Sequence, residues 1–319
     1  MTHFSLPRHR HEANLKPSAT VILKLALSAG LIVAIVALVD VRALLRVVAG
    51  ADPWRLTFAA VLLAAGHLGT ALRFGACLRP LRVRLPIRRI IDVTFLAVLL
   101  NQVLPTGLSG DVVRIFAIGR KTSIARVTYA SLADRAFGLG VILLNCLIAV
   151  PLYTGGHRGE ITLTVYGTGI AMGLGLAFVL LARRRWLATL RRRWRLVPGV
   201  VWNALKAARI ILHWRHLMAV GGAMLFAYVP YLLGFYVIGT ALGPMPVATL
   251  GGIPLVFLLM QIPLSVGGWG IREGAALIIL TTLGASAEVA LGAALSYGIL
   301  MIASSAPIVM FEQWRRGSA

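Results

Sequence analysis

The sequence predicts an all-α, polytopic integral membrane protein, and three observations carry that prediction. Of its 319 residues, 59% are hydrophobic and only 13% charged, where a soluble domain carries about 25% charged residues. The apolar residues gather into runs of about 20, the length that crosses a bilayer. The Lys and Arg residues fall between those runs and mostly on one side of them, as orientation signals do. A net charge of +22 would point a soluble chain towards nucleic acid. A chain this apolar excludes that partner, and the charge reads as topology. Cys77 and Cys146 sit inside apolar runs without metal or redox spacing, which excludes a disulfide framework.

Taken in order, residues 1–20 form a basic tail. The long polar leader and the lack of a small-residue cleavage pattern argue against a signal peptide. Six simple spans follow, at about 21–41, 56–78, 129–151, 161–182, 217–241 and 288–310. Two further apolar stretches, about 90–118 and 249–283, are broken by Pro, Gly and polar residues. Suppose the N-terminus is cytoplasmic and both broken stretches enter and leave on one side. The loops 1–24, 79–89, 119–128, 183–216 and 311–319 then hold 24 Lys and Arg, and the opposite loops hold 4. Full crossing by the broken stretches would move two basic loops to the wrong side. The reading is therefore one membrane domain at 21–310, with six helices and two re-entrant hairpins, between cytoplasmic tails 1–20 and 311–319.

The two broken stretches resemble each other. Asn101-Gln102-Val-Leu-Pro105-Thr106-Gly107-Leu-Ser109-Gly110-Asp111-Val-Val-Arg114 and Gln261-Ile-Pro263-Leu-Ser265-Val-Gly267-Gly268-Trp269-Gly270-Ile-Arg272-Glu273 both place Gly five and Arg nine residues after Pro. The prolines are 158 residues apart, and that shift carries 56–78 onto 214–236 and 129–150 onto 287–308, both spans, while the first span maps poorly onto the fourth. Halves of about 21–155 and 156–310, each with three spans and a hairpin, predict an inverted-topology repeat with a site at its interface.

Non-helical backbone at membrane depth is tolerated where it is buried in protein or lines a wet cavity. Pro and Gly break the helix there and free N–H groups beside helix N-termini, which favour anions. Arg114 and Arg272 add the bidentate donors that suit phosphate, and Asp111 and Glu273 are at hand to hold them. The alternative is that these acids and Arg residues only neutralise each other. An Arg inside a span costs about 2.5–3.5 kcal/mol, so each needs an explanation. Asp134 and Arg135 are adjacent on a helix and cannot face each other, so each is expected to pair elsewhere, with the hairpins. Arg73 reads as snorkelling to the cytoplasmic interface, and His67 as a neutral imidazole packed or hydrogen-bonded in mid-span. The candidate lipid contacts are Asn101, Pro105, Gly107, Gly110, Asp111 and Arg114 on the first hairpin, Asp134 and Arg135 on the third span, and Gln261, Pro263, Ser265, Gly268, Arg272 and Glu273 on the second hairpin. No metal spacing, nucleophile–base pair or phosphate loop is present in the sequence, and no cofactor is expected.

The combined motifs are Asn-x-x-Leu-Pro…Gly-Asp-x-x-Arg at 101–114, Asp-Arg at 134–135 and Pro-x-Ser-x-Gly-Gly-x-Gly-x-Arg-Glu at 263–273. On these the chain resembles the lysylphosphatidylglycerol synthase transmembrane-region family, the flippase-like membrane domain. Thr106 stands where Gly is expected, and Asp134 where Glu is usual. The resemblance implies a bacterial inner membrane and translocation of a phospholipid, polyprenyl-linked glycolipid or hopanoid. Its expected partner is a membrane lipid, anionic or phosphate-bearing, with a lipid-synthesis enzyme as a possible second partner. The bifunctional relatives add a soluble aminoacyl-transfer domain after the membrane part, and nine residues follow the last span here, so lysyl transfer by this chain alone is not expected. Two alternatives stay open: a non-catalytic partner of a lipid-synthesis complex, and a membrane-embedded glycosyl or acyl transferase.

Overall fold

The computed structural model describes residues 40–104, 109–153, 214–262 and 265–317, with positions 30, 207, 210 and 211. The expected span at 161–182, nearly all of that at 21–41, and Pro105, Gly107 and Pro263 lie outside the described residues. All regular structure within them is helical.

Helix α1 (Val41–Ala49) is short and amphipathic, and falls where the sequence suggested only a loop. Asp40 caps it, accepting from the N–H groups of Arg42 and Ala43 at 2.9 and 3.2 Å. Asp52 does the same for α2 (Pro53–Leu78), with Pro53 in the first turn. Such caps are worth about 1 kcal/mol each. Then come α3 (Ile87–Val103), α4 (Ser109–Gly119) and α5 (Ile124–Tyr153). After the undescribed segment come α6 (Trp214–Leu242), α7 (Thr249–Leu259), α8 (Ile271–Thr282) and α9 (Ala287–Gly317). Among the described residues, four segments are long and apolar enough to cross a membrane: Pro53–Leu81, Ile124–Ile148, Met218–Leu242 and Ala287–Phe311. They correspond to four of the six expected spans. Their outward sides expose Phe58, Val61, Leu132, Leu144, Leu225 and Ile299, as lipid contact requires.

Each broken stretch folds as two helices packed on each other, α3 on α4 and α7 on α8. Helices of 11 or 12 residues rise only about 17 Å, short of the roughly 30 Å hydrocarbon core. The order long, short, short, long therefore occurs twice, and α6 to α9 each begin 161–163 residues after α2 to α5. The packing follows the same exchange. Where α3 packs on α9, α7 packs on α5; where α4 packs on α5, α8 packs on α9; where α2 packs on α5, α6 packs on α9.

The central contact is α2 against α6, and the two run antiparallel. Arg55 reaches the Thr240 carbonyl at 2.7 Å near one end, Gly66 faces Tyr231 in the middle, and Gly69 faces Ala227 further on. A Cβ at Gly69 would stand 2.5 Å from the Ala227 nitrogen. Small residues allow this approach where no hydrophobic effect drives helices together. Behind it, Phe235, Phe257 and Tyr297 close a ring cluster with centroids 5.1–5.9 Å apart.

Candidate functional site

The break in each hairpin is built from backbone that needs glycine or a side-chain clamp. In the first, Asn101 Oδ1 accepts the Gly110 N–H at 2.7 Å, tying the end of α3 to the start of α4. Gly110 lies on the Ala97 carbonyl, with no room for a Cβ. In the second, Gly267, Gly268 and Gly270 take φ of 57°, 82° and 87°, a left-handed conformation costly to residues with a Cβ. Glu273 Oε2 then accepts the Gly270 N–H at 2.6 Å and starts α8. This glycine turn delays α8 relative to α4 in the shared motif.

The two breaks meet. The Trp269 indole N–H donates to the Gln102 carbonyl at 3.3 Å, and Gly267 sits directly on that carbonyl, where a Cβ would collide. Between them opens a cavity of about 300 Å³. The first hairpin contributes Asn101, Gln102, Asp111 and Arg114 to its wall, and the second Gln261, Ser265, Gly267 and Gly268. Asp134 and Arg135 come from α5, Thr70 and Arg73 from α2, and Tyr228, Tyr231, Phe257 and Tyr297 supply aromatic surface.

The charges in this wall form one network. Asp134 is buried and accepts from Arg73 Nε at 2.6 Å, Arg73 Nη2 at 3.3 Å and Arg114 Nη1 at 3.1 Å. Arg135 reaches Asp111 at 2.9 Å, while Arg114 stands 3.9 Å from the same acid. The Arg114 guanidinium also lies 4.9 Å from the Phe74 ring centre. Three Arg against two Asp leave one positive charge in surplus among the described wall residues. Arg114 Nε, Gln102 Oε1, Ser265 Oγ and the Tyr228 hydroxyl are buried without a hydrogen-bond partner among the described residues. Buried polar atoms are normally satisfied; these four belong to wall residues of the cavity, while Thr94 Oγ1, Ser131 Oγ and Arg272 Nη1 share that condition away from it. The wall can thus receive an anion at Arg114 and polar groups elsewhere.

Arg114 and Arg272, equivalent in the motif, are placed differently. Arg272 is fully buried and does not line the cavity. Its Nε and Nη2 donate to Glu273 Oε1 at 2.9 and 2.6 Å. The Trp269 ring covers it at 4.5 Å, and Gly298 of α9 leaves it space that a Cβ would fill. The Arg272–Glu273 pair therefore takes the mutual-neutralisation geometry that the sequence left open.

Of the expected contacts, Asn101, Asp111, Arg114, Asp134, Arg135, Gln261, Ser265 and Gly268 come together at the cavity, whereas Gly110, Arg272 and Glu273 stand behind it. Asp134 and Arg135 pair with the first hairpin as expected. Arg73 does not snorkel: it turns into the protein, because a buried carboxylate 61 residues away in the chain is a better partner than the interface. Sequence reasoning also passed over Thr70, Tyr228, Tyr231 and Tyr297, whose only signal was hydroxyls inside apolar spans. Among the described residues, no group of three or more His, Cys, Asp or Glu could hold a metal ion.

No curated protein matches the chain. The family model of the lysylphosphatidylglycerol synthase TM region matches residues 21–306, so the chain belongs to that family, as a membrane protein related to lipid handling.

Proposed function

We propose that this protein is a flippase-like lipid transporter of a bacterial inner membrane, which holds a headgroup between its two hairpins and exposes it to alternate faces. The observation that carries the reading is the cavity shared by both hairpin breaks, with the one surplus positive charge of its wall and its unpartnered polar atoms, Arg114 Nε among them. A space of about 300 Å³ suits a headgroup and leaves the acyl chains in the bilayer, at the small end of ligand pockets. Arg114 binds the phosphate, and Arg73 keeps Asp134 neutralised while it does so.

An inverted repeat gives the alternation a geometric basis. Equivalent helices α2 and α6 run antiparallel across the centre, and the packing of each half matches that of the other. The halves, about 21–155 and 156–310, then present one hairpin to each membrane face, with both termini cytoplasmic. Re-entry of each hairpin on its own side is supported by the shortness of α4, α7 and α8.

The test is lipid movement by purified protein in liposomes of phosphatidylethanolamine and phosphatidylglycerol, with a trace of headgroup-labelled phosphatidylglycerol and an impermeant quencher. Wild type is expected to expose the inner-leaflet label. Arg114→Ala is expected to fall to the protein-free rate while still eluting as a folded protein, with Arg114→Lys intermediate. Movement at the wild-type rate by Arg114→Ala would overturn the reading.

A further inference from the structure

The buried histidine of α2 stands apart from the ion network, yet its hydrogen bonds decide what one wall residue offers to a ligand. His67 is fully buried. Its Nδ1 lies 2.7 Å from the Tyr231 hydroxyl on α6, and its Nε2 lies 2.9 Å from Ser304 Oγ on α9. Phe95 of α3 meets its ring edge-on at 5.3 Å. Both hydroxyls can donate or accept, so their other neighbours fix the direction. Ser304 Oγ donates to the Met301 carbonyl at 3.3 Å, and a carbonyl can only accept. Ser304 therefore accepts at His67, and Nε2 carries the imidazole proton.

Nδ1 of the neutral ring is then a lone pair, and Tyr231 must donate to it. Thr70 follows the same logic, because its hydroxyl donates to the Gly66 carbonyl at 3.0 Å. It has no second proton for Tyr231, 3.3 Å away. The Tyr231 oxygen has thus committed its one proton to His67 and receives none from Thr70. Tyr231 is a residue of the cavity wall, as are Thr70 and Arg73. The ring is held in place by Gly66, where a Cβ would stand 2.6 Å from Tyr231 Cε1.

We infer that His67 is a positioning residue that fixes Tyr231 as a hydrogen-bond acceptor at the cavity wall, so that the site selects an anionic headgroup carrying a hydrogen-bond donor beside its phosphate. This inference rests on the headgroup reading above and adds the chemistry that reading leaves undefined. Arg114 takes the anionic oxygen, and Tyr231 takes the donor. A headgroup of equal charge without a donor leaves the Tyr231 oxygen unmatched in a site from which water has been displaced.

The experiment compares two short-chain lipids of the same charge, dihexanoyl phosphatidylglycerol and dihexanoyl phosphatidylmethanol, titrated into the full-length protein in phosphatidylcholine nanodiscs. Only the first carries hydroxyl donors. Wild type is expected to bind the first about tenfold more tightly. Tyr231→Phe and His67→Phe are expected to lose that preference while keeping the phosphatidylmethanol affinity, which also reports that the fold is intact. His67→Asn, whose amide oxygen can stand where Nδ1 stood, is expected to restore the preference. Equal affinities in wild type, or a preference retained by Tyr231→Phe, would overturn the role of His67 and leave the headgroup reading standing. Binding of neither lipid would overturn both.

Discussion

Asp134→Asn is the most informative single change, because one carboxylate holds two buried guanidinium groups. The side chains of Arg73 and Arg114 are only 12% and 7% exposed, and that of Asp134 only 4%. Unit charges about 4 Å apart attract by about 4 kcal/mol at an effective dielectric constant of about 20. Two such pairs offset the several kcal/mol needed to bury each ion. Asparagine keeps the shape and can still accept one hydrogen bond, but it leaves two cations without an anion of their own. Breaking a buried pair costs about 3–5 kcal/mol, and about 3 is expected here because one hydrogen bond survives. Adding Arg73→Met to Asp134→Asn removes the second uncompensated cation and leaves Arg114 beside Asp111. The double variant is therefore expected to recover at least half of the loss. Denaturant unfolding in mixed micelles, followed by tryptophan fluorescence, gives the four corners of the cycle. A single-variant loss below about 1 kcal/mol, or additive effects of the two changes, would refute the shared-carboxylate account.

Two further outcomes follow from glycines at close contacts. Gly69→Ala puts a Cβ 2.5 Å from the Ala227 backbone nitrogen, which must push α2 and α6 apart. A loss of about 1–3 kcal/mol is expected for such overpacking, read in the same unfolding assay, and an unchanged midpoint would count against the packing. Gly267→Ala is strained twice, by its φ of 57° and by the Gln102 carbonyl beneath it. A left-handed alanine alone costs about 1–2 kcal/mol, and separation of the hairpin breaks is expected to abolish lipid movement. Movement at the wild-type rate would show that the contact is dispensable.

The helix breaks were legible because Pro, Gly and Arg inside apolar stretches break a strong rule, and the break shows at the level of single residues. Asp134 and Arg135 were legible for the same reason, down to their need for separate partners. Three things could not be read. Arg73 finds Asp134 across 61 residues, and no local pattern reports a contact that depends on how two helices pack. Arg114 and Arg272 share a motif, yet Trp269 and Gly298 enclose only the second, and those neighbours come from a glycine turn and a distant helix. Helix α1 was hidden because nine residues are too few for periodicity to stand out from a loop, despite its Asp40 cap.

The exchange of partners between the halves also bears on how the chain is assembled. The first hairpin leans on α9, which follows every other described helix in the chain, and Tyr297 and Met301 of α9 complete the cavity. In chain order α3 and α4, with Asp111 and Arg114, are made long before that support. Their early companion is α5, whose Asp134 and Arg135 lie only about one hairpin downstream and match both charges. These two ion pairs are thus open to the first hairpin as soon as α5 has been made, whereas the part of the cavity wall that α9 supplies waits for the last described helix.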